Sequence, residues 1–344
     1  GRQGAQPTVS LAASFDAARI RYLPGQPPIT GASGRFSLHG GRFSASAEAG
    51  RIADGISGNT IDIAGTSFVV PEVDRVAAPA EIRLAARGEL ETALRLLDQS
   101  PFQGMGRSGG RAEDLRAQLE AGGRINLPLV RELRAEDLDV TLTGRLTDVE
   151  SATLVPGRRF AAETLDLALA DEILIVTGAA TLDGVPVTGE WSQPLRAGAE
   201  GRVLARLPLG AGTLDRFGAA LPEGMLRGSA PAELDLRLPA DAPADFTLSS
   251  TLEGAALSVG ALGWSLPAQA AGRLSITGRL GARTEIERIA LDAPGLSAQG
   301  RLELAPDGRI VRAEFDRVRV GDWLETGVVL RPRPGAPPAV DIRG

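Results

Sequence analysis

Three features of the sequence contain residue types that catalysis or cofactor binding would need. His39 is the only histidine of the chain, and histidine is the side chain best suited to proton transfer near neutral pH. The segment from Gly104 to Gly110 matches the GxGxxG pattern of dinucleotide sites, and within it Gly106 begins a GxSxG pattern around Ser108. Cysteine is absent, which excludes thiolate metal sites, redox motifs and disulfides.

The surroundings of these residues fit neither a dinucleotide site nor a catalytic serine. A dinucleotide site needs a strand before the glycines and a helix after them, whereas here a helical segment precedes them and a strand-like segment follows. A nucleophile elbow needs a histidine after the serine, and His39 precedes Ser108. We therefore predict that residues 104–110 form a connector and that His39 is an exposed turn residue. The sequence predicts no catalytic residue, no metal site and no cofactor, and hence a protein that is not an enzyme.

Composition limits the remaining function classes. Of the 344 residues, 43% are hydrophobic and 23% are charged, which is enough for a packed structure. The 43 glycines and 23 prolines favour many short strands over long helices. Every basic residue is an arginine and the formal net charge is −6, so nucleic acid is not an expected partner.

A triplet of glycine, arginine and an apolar residue recurs along most of the chain and opens short segments of alternating polarity. Its first examples lie between Tyr22 and Gly58 and predict a meander of antiparallel strands. The same order of turns and strands returns at residues 155–189, so the chain has an internal repeat with a period of about 130 residues. Part of it returns at residues 272–308, where Asp307-Gly308 predicts a tight hairpin. One mainly β architecture is therefore expected throughout.

Two segments depart from the period of two. Apolar residues from Leu90 to Leu97 follow the spacing i, i+3, i+4 and i+7, which predicts a helix over residues 90–99. A second, short helix is predicted over residues 213–219. We predict three β modules, residues 1–103, 104–228 and 229–344, that together form one continuous elongated structure.

The alternating strands give the chain one apolar face, which so few helices cannot cover. At about 25 cal/mol per Å², an exposed strand face of several leucines costs several kcal/mol. Closure into a β-sandwich, barrel or solenoid is one solution, and a long curved sheet filled by acyl chains is another. The residues predicted to line such a groove are Phe36, Leu38, Phe43, Ile61, Ile63, Leu165, Leu167, Leu169, Ile173, Ile175, Leu234, Leu236, Leu238, Leu274, Ile276, Leu302 and Leu304.

Several short phrases of the sequence resemble the AsmA-like envelope proteins, most closely the YhdP type and more distantly TamB. These phrases are Tyr22-Leu23-Pro24-Gly25-Gln26-Pro27-Pro28-Ile29, Leu94-Arg95-Leu96-Leu97 before Pro101-Phe102, Leu127-Pro128-Leu129, Asp183-Gly184-Val185-Pro186 before Trp191, and Leu262-Gly263-Trp264 before Gly295-Leu296. The resemblance implies an elongated, twisted antiparallel sheet that forms an open β-groove, with a few short helices at its edges.

The resemblance also implies a function. It implies a periplasmic segment of a bridge-like protein that carries phospholipids between the inner and outer membranes of Gram-negative bacteria. The implied partners are phospholipid acyl chains in the groove, both membranes through regions outside this fragment, and envelope proteins. The chain begins at Gly1 without the family's N-terminal membrane helix, so we expect that the inner-membrane anchor is missing from this sequence. The alternative hypothesis is a closed β-sandwich or solenoid that scaffolds envelope assembly through its strand edges.

Overall fold

A computed structural model describes residues 10–99, 115–155, 157–196, 198–219, 221–281, 284–305, 310–333 and 336–343. The predicted fold class is confirmed: these residues form an open, antiparallel β-sheet structure with two short α-helices. The GxGxxG and GxSxG matches and the Asp307-Gly308 hairpin lie outside the described residues.

The chain divides into two compact units. One contains Gly1–Gly178 with Pro194–Ala197, and the other contains Ala179–Gln193 with Gly198–Gly344. The division into three modules, which the sequence suggested, stays a prediction.

The first unit is an antiparallel meander in which neighbouring strands pair nearly in chain order. The exception is that β3 pairs with both β4 and β5, which continue to β6. Its elements are β1 (Ser10–Ile20), β2 (Ile29–His39), β3 (Arg42–Ala53), β4 (Thr60–Asp62), β5 (Ser67–Val70), β6 (Pro79–Glu89), α1 (Leu90–Asp98), β7 (Arg116–Pro128), β8 (Asp139–Val155), β9 (Arg158–Ala170) and the first part of β10 (Ile173–Leu182).

The helix predicted over residues 90–99 is confirmed as α1. The strand that follows, β7, continues without a break through Gly122 and Gly123. A Cβ atom on Gly123 would lie 2.1 Å from the carbonyl oxygen of Thr141, so this glycine permits close approach of neighbouring backbones rather than a turn.

The second unit is also an antiparallel meander, with one small hairpin inserted between β14 and β17, which pair directly. Its elements are the end of β10, β11 (Val185–Pro194), β12 (Gly201–Gly210), α2 (Ala211–Arg216), β13 (Leu226–Leu238), β14 (Ala244–Ser250), β15 (Ala255–Val259), β16 (Trp264–Leu266), β17 (Arg273–Leu280), β18 (Thr284–Ala293), β19 (Leu296–Leu304), β20 (Ile310–Val320), β21 (Leu324–Arg333) and β22 (Ala336–Arg343). The helix predicted over residues 213–219 begins two residues earlier and stops before Gly218, whose φ of +77° favours glycine at a helix end.

The structure explains two examples of the recurring triplet of glycine, arginine and an apolar residue. Gly278 lies directly opposite Phe246, and Gly300 lies directly opposite Phe315. A Cβ atom on Gly278 would lie 2.0 Å from the Glu285 carbonyl oxygen and 2.9 Å from the Phe246 ring. The glycine therefore makes room for an aromatic ring on the apolar face, which is a recognised device for a curved sheet. The arginine that follows each glycine points to the other face and forms ion pairs there.

Candidate functional site

One face of the sheet in the first unit is apolar from β2 to β8. Residues directly opposite each other on paired strands point to the same face, so the register defines continuous rows. One row consists of Phe36, Ala45, Phe68, Ile82, Ile125 and Val140. The Phe43 ring lies 6.3 Å from that of Phe36 and 6.2 Å from that of Phe68. All the members of this row are partly exposed, so no other element fully covers them.

Helix α1 covers another part of the same face. Its Ala93 and Leu96 pack on the buried side chains of Ile61, Ile63 and Ala86. The helix therefore lies on the apolar surface itself and not merely at an edge strand. It excludes solvent from this part of the sheet. The row that begins at Phe36, which we call the aromatic row, lies beside the helix and is not covered by it.

Polar contacts hold α1 in place at its C-terminal end. The Nε2 atom of Gln26 donates to the carbonyl oxygens of Leu96 and Gln99, at 3.2 and 3.4 Å. Gln99 in turn donates to the backbone oxygen of Asp54 at 3.0 Å, and Arg95 lies 3.5 Å from the Asp54 carboxylate. We call Gln26, Asp54, Arg95 and Gln99 the polar clamp.

The Asp54 carboxylate is the buried centre of the clamp, with only 2% of the residue exposed. It accepts hydrogen bonds from the backbone N–H groups of Ile56 and Ser57 at 2.8 and 2.9 Å, and from the Ser57 hydroxyl at 2.6 Å. Burial acts to raise the pKa of Asp54, but these hydrogen bonds and the charge of Arg95 together lower the pKa below its usual value. The carboxylate is therefore charged in the folded protein at neutral pH.

The second unit also has one apolar face, and its rows are longer. One row crosses eight strands from β12 to β21, and only Gly278 and Ala313 among its members are buried. This row, which we call the open row, consists of Val203, Leu236, Phe246, Gly278, Ile286, Leu302, Ala313 and Leu330. A parallel row beside it contains Leu234, Leu248, Ile276 and Ile289.

The hairpin of β15 and β16 covers the far side of this face. Its Trp264 and Leu266, and Leu252 just before it, are buried against Leu296 and Val320 of the sheet. The indole Nε1 atom of Trp264 donates a 2.9 Å hydrogen bond to the carbonyl oxygen of Pro294. The hairpin therefore covers part of the apolar face with closely packed side chains, and it leaves the open row uncovered.

Most of the residues predicted to line a groove lie on the apolar face of their unit. Ile61, Ile63 and Leu165 are buried, and the others on this face are partly exposed. The register places on this face Phe36, Leu38, Phe43, Ile61, Ile63, Leu165, Leu167, Leu169, Leu234, Leu236, Leu238, Leu274, Ile276, Leu302 and Leu304.

Ile173 and Ile175 do not lie with the other predicted residues. The Asp171-Glu172 turn between β9 and β10 has two residues, both with positive φ, so Ile173 lies opposite Ala170. Ala170 shares a face with Asp166, because side chains alternate along β9. The two isoleucines therefore lie on the ionic face, and their grouping with Leu165, Leu167 and Leu169 was wrong.

The opposite face of the first unit is a ladder of alternating charge. Arg87, Glu120, Arg145 and Asp166 are direct neighbours on four consecutive strands. Arg87 lies 2.9 Å from Glu120, and Arg145 lies 3.2 Å from Asp166. A concavity of about 650 Å³ beside this ladder is lined also by Ile175. Since the charged groups pair with each other, this concavity has the character of a solvated sheet surface.

The structure places His39 where the sequence predicted, as an exposed residue at the end of β2. Its Nδ1 atom lies 3.2 Å from the Ser10 hydroxyl. Within the described ranges, no group of three acidic or histidine side chains could hold a metal ion. No helix in that part of the chain is long and apolar enough to cross a membrane.

The site therefore defines a class: an open antiparallel β-sheet protein with one apolar and one ionic face in each unit. Comparisons with protein-family models, with curated proteins and with solved structures find no match to this chain.

Sequence reasoning missed several members of the apolar face, including Val203, Phe246 and Ile286 in the open row and Ile82 and Ile125 in the first unit. Each lies in an alternating segment, but only the strand register shows which neighbours it meets. The covering hairpin was missed as well, since its short strands have the same period as the sheet below.

Proposed function

We propose that this chain binds phospholipid acyl chains on its apolar faces and serves as a periplasmic segment of a lipid conduit between the inner and outer membranes. The observation that carries the proposal is the open row of the second unit, where six large apolar side chains, distributed over eight neighbouring strands, are only partly buried. Soluble proteins rarely leave such a continuous apolar surface without a ligand or a partner.

The length of the open row suits an acyl chain. It crosses eight strands, and seven spacings of roughly 4.8 Å give about 34 Å along the sheet. A bilayer's hydrocarbon core is about 30 Å thick, so each acyl chain spans roughly 15 Å of it. Two chains placed end to end therefore fit along the row, and they would run across the strands rather than parallel to them.

The distribution of charge supports an amphiphilic ligand. The ionic face carries paired side chains, such as Arg202, which contacts both carboxylate oxygens of Asp235 at 2.9 and 2.8 Å. The open row carries no charged residue. A phospholipid with its acyl chains on the row would keep its headgroup at the margin of the sheet, in contact with water.

Some of the residues that resemble the AsmA-like family contact each other. Gln26 donates a hydrogen bond to the carbonyl oxygen of Leu96, and Trp264 donates one to the carbonyl oxygen of Pro294, the residue before Gly295. They therefore contribute to covering the apolar faces. An AsmA-like protein of the YhdP type would use such faces to move phospholipid through the periplasm, with envelope proteins and the two membranes as partners.

The test is photo-crosslinking to a labelled phospholipid. A photoreactive amino acid at Leu236, on the open row, is compared with the same amino acid at Asp235, its neighbour on the ionic face. A second pair, Leu167 and Asp166, provides the same comparison in the first unit. We expect crosslinks at Leu236 and Leu167 and none above background at the two aspartates. Mass spectrometry of organic extracts should also find phospholipid bound to the purified chain.

Two results would contradict the proposal. One is the absence of phospholipid from the extract together with equal crosslinking on both faces. The other is crosslinking at Leu236 to protein alone in cells, which would favour the scaffold hypothesis instead.

A further inference from the structure

Four exposed apolar side chains lie in two loops of the first unit. Val73 and Val76 belong to the loop between β5 and β6 and are 40% and 94% exposed, and Leu129 and Val130 follow β7 and are 44% and 41% exposed. Large apolar side chains are common on surfaces singly, but a group in adjacent loops indicates an interaction site. We call these four residues the loop patch.

Backbone hydrogen bonds fix the two loops at one end of the sheet. The N–H of Leu129 donates to the carbonyl oxygen of Ala78 at 2.8 Å and joins the two loops, and the N–H of Val73 donates at 2.8 Å to the carbonyl oxygen of Gly41 in the turn between β2 and β3. Pro79 and Pro128, the first and last residues of their strands, lie directly opposite each other. The loop patch is therefore a defined surface.

The loop patch continues into the apolar face of the sheet. Ala78, in the first of the two loops, is buried in a cluster with Val70 and Ala80, against which Phe43 and Leu127 pack. An apolar molecule that reached the loop patch would therefore meet the edge of the aromatic row without crossing the ionic face.

The charged groups among these residues fit a phosphate headgroup. Arg75 and Arg131 are exposed, and neither has a carboxylate within ion-pair distance among the residues the structure describes. An unpaired guanidinium is a strong donor to phosphate oxygens. Glu72, Asp74 and Glu132 are exposed in the same loops, so the surface also offers anions to a cationic amine.

We infer that the loop patch docks on the surface of a zwitterionic phospholipid bilayer. The apolar side chains enter the interface between headgroups and acyl chains, the two arginines contact phosphates, and the carboxylates face the amines. This docking brings the bilayer to one margin of the apolar face of the first unit. It is a property of the loops and does not require that the chain extracts a lipid.

The test is flotation of the full chain with phosphatidylcholine vesicles. The double change Val76→Asp with Leu129→Asp should lower the vesicle-bound fraction by about tenfold or more, because it places charge at the apolar interface. The matched control is Ile56→Asp, which is also highly exposed, at 76%, but lies beyond the other end of the 12-residue strand β3, about 36 Å away. The control should change binding by less than about twofold.

A second variant should strengthen vesicle binding instead of weakening it. Val76→Trp should increase vesicle binding, because tryptophan favours the membrane interface, and its fluorescence should shift to shorter wavelength when vesicles are added. Circular dichroism of each variant checks that the fold is retained.

Three results would overturn the inference: no flotation of the unchanged chain, an equal loss with Ile56→Asp, or no gain with Val76→Trp. These results are distinct from failure of the proposed function, because crosslinking at Leu236 reports on the open row of the second unit and does not use the residues of the loop patch.

Discussion

The two units cover the same kind of surface in different ways. In the first unit, an α-helix lies on the apolar face and a polar clamp around the buried Asp54 holds its end. In the second unit, a β-hairpin lies on the face and is held mainly by apolar packing around Trp264, with one hydrogen bond from its indole. Both covers leave part of the face open. Partial covering of the apolar face is therefore a property of the architecture and not of one type of secondary structure.

The difference lies in the energy that holds each cover. The stability gained from apolar burial in the second unit does not depend on a titrating group, whereas the clamp of the first unit depends on the charge of Asp54. The following substitutions separate these two cases, and since the chain has two units, each is best followed by amide hydrogen exchange within each unit.

The largest effect is expected for Trp264→Ala. The side chain is 8% exposed, and its removal leaves a cavity and an unpaired carbonyl oxygen on Pro294. We expect a loss of about 3–5 kcal/mol of stability in the second unit, with little change of exchange in the first. Trp323→Ala is the control, because Trp323 is 69% exposed and its loss should change stability by no more than about 0.5 kcal/mol. Equal effects of the two changes would contradict a hairpin held by packing.

A smaller effect is expected for Asp54→Asn in the first unit. The amide cannot accept all the hydrogen bonds of the carboxylate or attract Arg95, so we expect a loss of about 1–3 kcal/mol at neutral pH. The pKa of Asp54 is lower in the folded than in the unfolded chain. Its stabilisation is therefore complete above the unfolded value of about 3.9 and is lost as the pH falls below that value through the folded pKa.

The pH dependence of this effect distinguishes the clamp from simple packing. The stability difference between the unchanged chain and Asp54→Asn should shrink as the pH falls below about 4, as measured by amide exchange of α1. Asp74→Asn, in an exposed loop away from the clamp, is the control and should leave the amide exchange of α1 unchanged. A difference that stayed constant down to acid pH would mean that charge does not hold α1 on the sheet.

The smallest effect is expected on the ionic face. Arg145 lies 3.2 Å from Asp166, and both side chains are more than half exposed, so Arg145→Ala should cost no more than about 1 kcal/mol. Denaturant titration at low and high salt should show that even this difference decreases as salt increases. A loss as large as that of Trp264→Ala would show that the ladder of charges makes a large contribution to the stability of the first unit.

The sequence predicted helix α1, though not its place on the apolar face, and it did not predict the hairpin, for a physical reason. The helix changes the hydrophobic period from 2 to 3.6, and a change of period is visible in one dimension. The hairpin of β15 and β16 has the period of the sheet below it. Its position depends on contacts such as that between Trp264 and Pro294, which lie 30 residues apart.

The face of a strand could be predicted only where the turn length was known. Leu38 and Phe43 were placed together correctly, because the two-residue turn at Gly40-Gly41 puts them on one face. The same rule, applied to Asp171-Glu172, would have placed Ile173 opposite Ala170. That turn has no glycine, and its positive φ values became visible only in the structure.

The pairs of glycine and phenylalanine have a consequence for how such a chain can change over evolutionary time. At Gly278 a side chain would collide with the Phe246 ring and with a backbone oxygen, and without the ring the glycine would leave a hole in the apolar face. Neither residue can be replaced alone without loss. Because the Glu285 carbonyl oxygen would lie only 2.0 Å from a Cβ atom on Gly278, removal of the ring does not make room for a side chain there. Of the two positions, only that of Phe246 is therefore open to sequence change, at the cost of the hole above the glycine.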